Sequence, residues 1–381
     1  MMPGTPEQAT SQRITRRAWR GIGALVLLLI TLAVVVAYLA EREPQYQGRS
    51  LSSWLADLDR SKPAPVRAAA QLAVHQIGTN ALPTLRRWMV AKEEGKQGGI
   101  RKRIAAWLTS RSGGRLNWFP PDRRWLAARA YETLGTLAEP AVPELIASLR
   151  DEASRDQAAF ALAGIGSPSV GPLISCLSSE DAEVQRLATT ALGAIGAQPE
   201  RCVAALLDRV GQTNQFDALR SLGEFGDAAV VALPQLESAL TNSESGWFDA
   251  SYALAQLGED GLLPLMRGMV STNSNARRAS AAGLVWHDSL PRVRGLGGES
   301  RMGSFLGRMS AFNTMSMQLS VRFYSSGEAA PLAPLVAPYV QSSDPRVREA
   351  AAAVTNRLAQ LPPHEKRPVT QPHLPGGSND E

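Results

Sequence analysis

Six leucines, Leu134, Leu162, Leu192, Leu222, Leu254 and Leu284, recur at intervals of 28, 30, 30, 32 and 30 residues, each inside the same short grammar of apolar and small residues. Around Leu162 the chain reads Ala159-Phe160-Ala161-Leu162-Ala163-Gly164-Ile165-Gly166, and around Leu192 it reads Thr190-Ala191-Leu192-Gly193-Ala194-Ile195-Gly196. Leu187, Ala188, Ala191, Leu192 and Ile195 fall at helical spacing and form one apolar stripe. A glycine then offers a left-handed C-cap (Gly78, Gly166, Gly196, Gly226, Gly258), and Pro140, Pro168 or Pro199 forbids continuing the helix. A second apolar helix follows, as in Val142-Leu145-Ile146-Leu149, Val170-Leu173-Ile174-Leu177 and Val203-Leu206-Leu207-Val210. A helical hairpin of this size cannot bury its own apolar face. Stacked copies bury it between them, which predicts an all-α solenoid with a long concave surface.

This grammar resembles the HEAT-repeat family, in its short bacterial form also called PBS-lyase HEAT-like repeats. The resemblance covers residues 64–90 and 125–287 and implies a right-handed α-solenoid of HEAT-like hairpins over 45–360, with an insertion at 91–124 and an irregular stretch at 288–330. Asp344-Pro345-Arg346-Val347-Arg348-Glu349-Ala350-Ala351 reads as one more first helix. Tyr46-Gln47-Gly48-Arg49-Ser50-Leu51-Ser52-Ser53-Trp54-Leu55 resembles the opening of a recurring class of membrane-anchored bacterial HEAT proteins. The stripe Leu51, Trp54, Leu55, Leu58 is expected to cap the first repeat, because an open solenoid end exposes core. The segment 361–381, rich in Pro, Gly and polar residues, reads as a disordered tail.

Residues 21–40 carry no charge and are dominated by Leu, Val, Ile and Ala. Twenty such residues span a hydrocarbon core of about 30 Å, so the run predicts an N-terminal transmembrane helix. A cleaved signal peptide is the competing reading. The run exceeds the usual apolar region of about 7–15 residues, and a cut after Ala40 would put the bulky Tyr38 where a small residue is wanted. Arg16-Arg17 superficially resembles a twin-arginine export signal, but reads more simply as the basic flank of an anchor. Arg13, Arg16, Arg17 and Arg20 against Glu7 give that flank a net +3, while Glu41, Arg42 and Glu43 give −1. The positive flank, residues 1–20, stays cytoplasmic, which makes the chain a single-pass protein of the bacterial inner membrane with periplasmic repeats.

Whole-chain charge is +5, so the part beyond residue 20 carries only +2. Nucleic acid requires an organised basic face, and a near-neutral array outside the membrane argues against it. One local exception is 91–124, which holds Arg101, Lys102 and Arg103 within a net +6 and interleaves Trp107, Trp118 and Phe119. It reads either as an anionic-surface patch, at roughly 1 kcal/mol per basic residue near charged headgroups, or as a solvated helix and loop.

Catalytic constellations are sparse. His75, His287, His364 and His373 are scattered, with no ligand spacing on one helix. HEAT-fold deoxyhypusine hydroxylases carry several His-Glu pairs, whereas His364-Glu365 stands alone here, in the tail. Bilin lyases share the repeat, but a shared scaffold transfers no activity. His287-Asp288 reads as an end-of-helix cap and its neighbour. Cys176 and Cys202, aligned through Leu162 and Leu192, are offset by seven positions along their helices, about 10 Å and beyond disulfide reach. Phe216 and Phe248 share one slot six residues before Leu222 and Leu254, with Trp247 beside the second, and read as seam core rather than a recognition patch.

The resulting expectation is a monomeric, membrane-anchored scaffold that binds an envelope protein or peptide and turns nothing over, with no cofactor and no metal. Polar positions off the apolar stripe of the second helices, Glu144, Ser148, Ser175, Asp208, Arg209 and Arg267, form the candidate groove. An enzyme or enzyme accessory related to the bilin lyases is the alternative, and a deep pocket with convergent titratable groups would favour it.

Overall fold

Each leucine of the period lies buried in a first helix, and the first five of these helices hand over through a tight turn to a second. The computed structural model describes residues 43–59, 61–90, 123–210, 215–241, 246–293 and 333–360, with the side chains of 215 and 289–293 excepted. The transmembrane prediction at 21–40, the basic patch Arg101, Lys102 and Arg103, His364, His373 and the tail lie outside the described residues. Among the described residues no helix is long and apolar enough to cross a membrane.

The chain divides into two units, Met1–Trp88 and Met89–Glu381. In the first, β1 (Gln45–Tyr46) and β2 (Arg49–Ser50) pair antiparallel around Gln47 and Gly48, both at positive φ. That is the backbone of a two-residue hairpin turn whose twist matches its strands. Helix α1 (Leu51–Ala56) starts on Ser50, whose side chain accepts from the Ser53 N–H. The Trp54 indole N–H donates to the Tyr46 carbonyl at 3.2 Å, and the Arg49 guanidinium sits 3.8 Å from the centre of the Trp54 ring while pairing with Asp57 at 2.7 Å. The run Tyr46–Leu55 is thus one local staple, in which Leu51, Trp54 and Leu55 turn inward against α2 (Ala64–Ile77), the first helix of a hairpin completed by α3 (Leu82–Val90). The capping role read from Leu51, Trp54, Leu55 and Leu58 agrees with their burial.

The second unit strings together α4 (Arg123–Leu134), α5 (Val142–Ser148), α6 (Arg155–Ile165), α7 (Val170–Cys176), α8 (Ala182–Ile195), α9 (Pro199–Leu207), α10 (Gln215–Gly223), α11 (Leu233–Thr241), α12 (Trp247–Gln256), α13 (Glu259–Met269) and α14 (Ser274–Val293). First helices α4, α6, α8, α10, α12 and α14 stack in that order, and second helices form a parallel row in which α5 meets α7, α7 meets α9 and α11 meets α13. Two layers of helices, each repeat packed on its neighbours, make the all-α solenoid.

The turns differ from expectation in one respect. Gly196 is a left-handed cap (φ 60, ψ 14), but Gly166 (φ 86, ψ −132) and Gly258 (φ 67, ψ −133) adopt a fully glycine-specific conformation. The latter geometry reverses the chain abruptly, into a short 3-10 turn at Ser167–Ser169 or directly into α13. A second difference concerns α16 (Pro345–Ala359), which follows α15 (Ala333–Val336): it packs on α13, a second helix, and buries Ala351 and Val354. A helix does form there, capped by Asp344, whose side chain accepts from the Arg346 N–H. The local pattern reads as a first helix, and the packing on α13 corrects that reading.

Candidate partner-binding face

The outward residues of the second helices are set by the inward ones. In α5, Val142 and Leu145 point into the core, which leaves Glu144 and Ser148 half-buried and Ala147 exposed; in α7, Val170 and Leu173 do the same for Pro172 and Ser175. Ser148 Oγ donates to the Glu144 carbonyl at 2.9 Å and Ser175 Oγ to the Gly171 carbonyl at 3.4 Å, so both hydroxyls are turned back on their own helices. Asp208 is exposed at the end of α9. Arg209 reaches back to Gln185 Oε1 of α8 at 2.7 Å, and Arg267 pairs with Glu237 of α11 at 3.2 Å. The six candidate positions therefore lie along the second-helix row without converging, and Arg209 and Arg267 tie neighbouring elements together.

A cleft of about 520 Å³ opens between α5 and α7, lined by Pro143, Ile146, Ala147, Arg150, Pro172, Ser175, Cys176, Ser178, Ser179 and Val184. Of the candidates only Ser175 lines it. Burial pushes the Cys176 thiol up, partly offset by the nearby Arg150 guanidinium. Cys202 is buried, its thiol also pushed up by burial, and donates to the Ala197 carbonyl at 3.2 Å. Both cysteines are free. The cleft's walls come from helix-starting prolines and the half-turned Ile146, small enough in combination to leave space.

Sequence reasoning missed a chain of charges across the first helices. Arg155 approaches Glu183 at 4.0 Å, Glu183 pairs with Arg186 at 2.6 Å, and Arg220 lies 3.5 Å from Asp217 while donating to Asp249 of the next repeat. Burial raises the carboxyls of Asp217 and Asp249 above the ordinary range, with Arg220 pulling both the other way. Glu183 is instead held low, chiefly by its hydrogen bond from Arg186. A signal was present: Asp217 and Asp249 each stand five residues before the periodic leucine, and Arg220 two before. Reading it needs the knowledge that those slots face one another.

His287 corrects a further expectation. It lies well inside α14, which runs on to Val293, so it caps no helix end. Burial holds its imidazole below the usual range, opposed by Asp288 and by Glu259 of α13, and burial with the same two carboxylates raises Tyr339. Among the described residues no group of three His, Cys, Asp or Glu side chains is placed to hold a metal ion. Phe216 and Phe248 are half-buried, and the Phe216 ring packs so closely on Gly246 that a Cβ there would meet it at 2.9 Å, as seam core does.

A family model for HEAT repeats matches residues 142–218. Residues 142–218 are HEAT repeats. Those residues span α5 to the first turns of α10. Solved structures similar to this chain include an engineered protein (19% identity, 57% of this chain and 96% of that one, TM-score 0.30). The complex of CpcE and CpcF of phycocyanin lyase from Nostoc sp. PCC7120 is another (18%, 84% and 98%, TM-score 0.31). Human deoxyhypusine hydroxylase is a third (17%, 81% and 96%, TM-score 0.24). No curated protein matches the chain.

Proposed function

We propose that this HEAT-repeat protein is a membrane-anchored scaffold that holds a protein or peptide of the cell envelope on its second-helix face, outside the inner membrane. The observation that carries the binding role is the α5–α7 cleft, with apolar walls, small exposed side chains and one charged residue, on the row of helices that a stacked array presents continuously. Its lining brings Arg150 and Cys176 together but no acid and base at hydrogen-bond reach, which supports binding over turnover. The anchor and its orientation rest on the uncharged run 21–40 and the +3 flank before it.

Two measurements test the proposal on the full-length chain. A photo-crosslinking residue placed at Asp208 or Ser238, both exposed on second helices, should capture a discrete envelope protein in intact cells. The same group on the first-helix row, at Asp156, should not, and equal capture from both faces would sink the binding-face reading. Protease added to spheroplasts should digest the repeats while cytosolic proteins survive. Protected repeats would reverse the topology.

A further inference from the structure

The seams of the second-helix row are not alike. Between α7 and α9 the Arg201 guanidinium lies over Gly171, 3.8 Å from where a Cβ would stand, and is held by Gln198 at 2.6 Å. Between α11 and α13 the Glu237–Arg267 pair crosses the gap. The α5–α7 seam instead keeps its 520 Å³ cleft, a volume in the range of about 300–1,000 Å³ usual for ligand sites.

Charge singles out this cleft further. Arg150 is its one charged lining residue, and among the described residues it meets no carboxylate. Two acids that adjoin the cleft's rim in sequence are hydrogen-bonded elsewhere. Asp151 accepts from Ser154 Oγ at 2.9 Å and from the Ala153 N–H at 3.2 Å, and Asp181 accepts from the Glu183 and Val184 N–H groups at 2.9 and 3.4 Å. A guanidinium with no ion-pair partner among the described residues, beside a wall of Pro143, Ile146, Pro172 and Val184, is complementary to a ligand with an anion next to an apolar group.

We propose that the α5–α7 cleft recognises an extended peptide bearing Asp or Glu beside an aliphatic or aromatic residue, with the apolar side chain in the cleft and the carboxylate on Arg150. This rests on the protein-binding reading above and names its ligand class and its site. Ala147 and Ser175, small and exposed on the facing helices, let a backbone lie close across the seam. Cys176, half-buried in the wall, is a built-in reporter of occupancy.

The test uses a phage-displayed random dodecapeptide library selected on the immobilised full-length chain. Selected peptides should pair an acidic with an apolar residue. Arg150→Glu should weaken them about tenfold or more, as expected for a lost charge contact, and Ala147→Trp should block them sterically. Both sites are exposed, and circular dichroism checks the fold of each variant. Saturating peptide should slow maleimide labelling of Cys176 in the native chain. Selected peptides that bind wild type and both variants equally, or leave Cys176 labelling unchanged, would overturn the cleft assignment while leaving a scaffold that binds elsewhere. Failure to select any acidic–apolar peptide would overturn the inference alone, because crosslink capture at Asp208 and Ser238 judges the scaffold independently.

Discussion

At the residue scale the repeats depend on glycines of two physical kinds. Gly166, Gly196 and Gly258 are required by backbone conformation, and at Gly196 and Gly258 nothing lies within 4 Å of a hypothetical Cβ. Gly193 and Gly223 are required by contact: a Cβ would meet Ser221 Oγ or Ala253 Cα at 2.7 Å across the first-helix seam. The conformational kind further divides. Gly196 sits in the left-handed region that Asn tolerates, whereas the φ and ψ of Gly166 suit no other residue. Gly196→Asn should therefore cost under about 1 kcal/mol, and Gly166→Asn about 1–3 kcal/mol. Thermal unfolding of the two variants decides it, and equal losses would show that the Gly166 turn relaxes. The recurrence of these glycines is plain in the sequence, but the division between them is not, because it depends on ψ and on what faces each one.

At the scale of elements, Arg220 of α10 shares its charge between Asp217 one turn away and Asp249 of α12. Both carboxyls are raised by burial, so the folded chain takes up their protons at higher pH than the unfolded chain does. Their contribution is fully present below the unfolded value and is lost as pH rises through the folded one, so both subtract stability at neutrality. Asp217→Asn leaves Arg220 paired with Asp249 and should be neutral or stabilising by about 1 kcal/mol at pH 7. Its advantage over wild type should shrink as pH falls towards 4. Arg220→Ala leaves two half-buried carboxylates near one another with only Arg186 still acting on Asp217, and should cost about 3 kcal/mol at pH 7 and less in acid. Melting curves across that window check both signs. A neutral Arg220→Ala would mean that water, not the guanidinium, satisfies these acids.

At the scale of the molecule, stability in a stacked array is a sum of repeats and nearest-neighbour interfaces, so its ends are its weakest points. Helix α16 covers α13, burying Ala351 and Val354 and sending the Arg357 guanidinium to the Val270 carbonyl at 3.3 Å. A chain ended at residue 332 should expose that face. Hydrogen exchange should then accelerate first in α13 and α14 and leave α6 to α8 protected. Uniform acceleration would show that the repeats unfold as one body and not as a chain of neighbours. The contact is invisible in the local grammar of 344–351, which reads as a first helix, since the choice of row depends on which apolar surface remains uncovered after α14.

What the sequence determined by itself was the repeating unit. The leucine period, the glycine and proline punctuation and the apolar stripes are local, and local spacing suffices to specify a helical hairpin that must stack. Tertiary structure decided everything that depends on distance between repeats: the charge chain through Arg220, the row joined by α16, and the α5–α7 seam left open where others are crossed. Those outcomes turn on the volume and reach of side chains some 30 positions apart in the sequence, such as Arg201 over Gly171 or Arg267 on Glu237, and no periodicity encodes which of them meet. The candidate groove shows the division. Its polar positions could be found from the helical pattern, whereas its open part, around Arg150 and Cys176, appears only once neighbouring helices are in place.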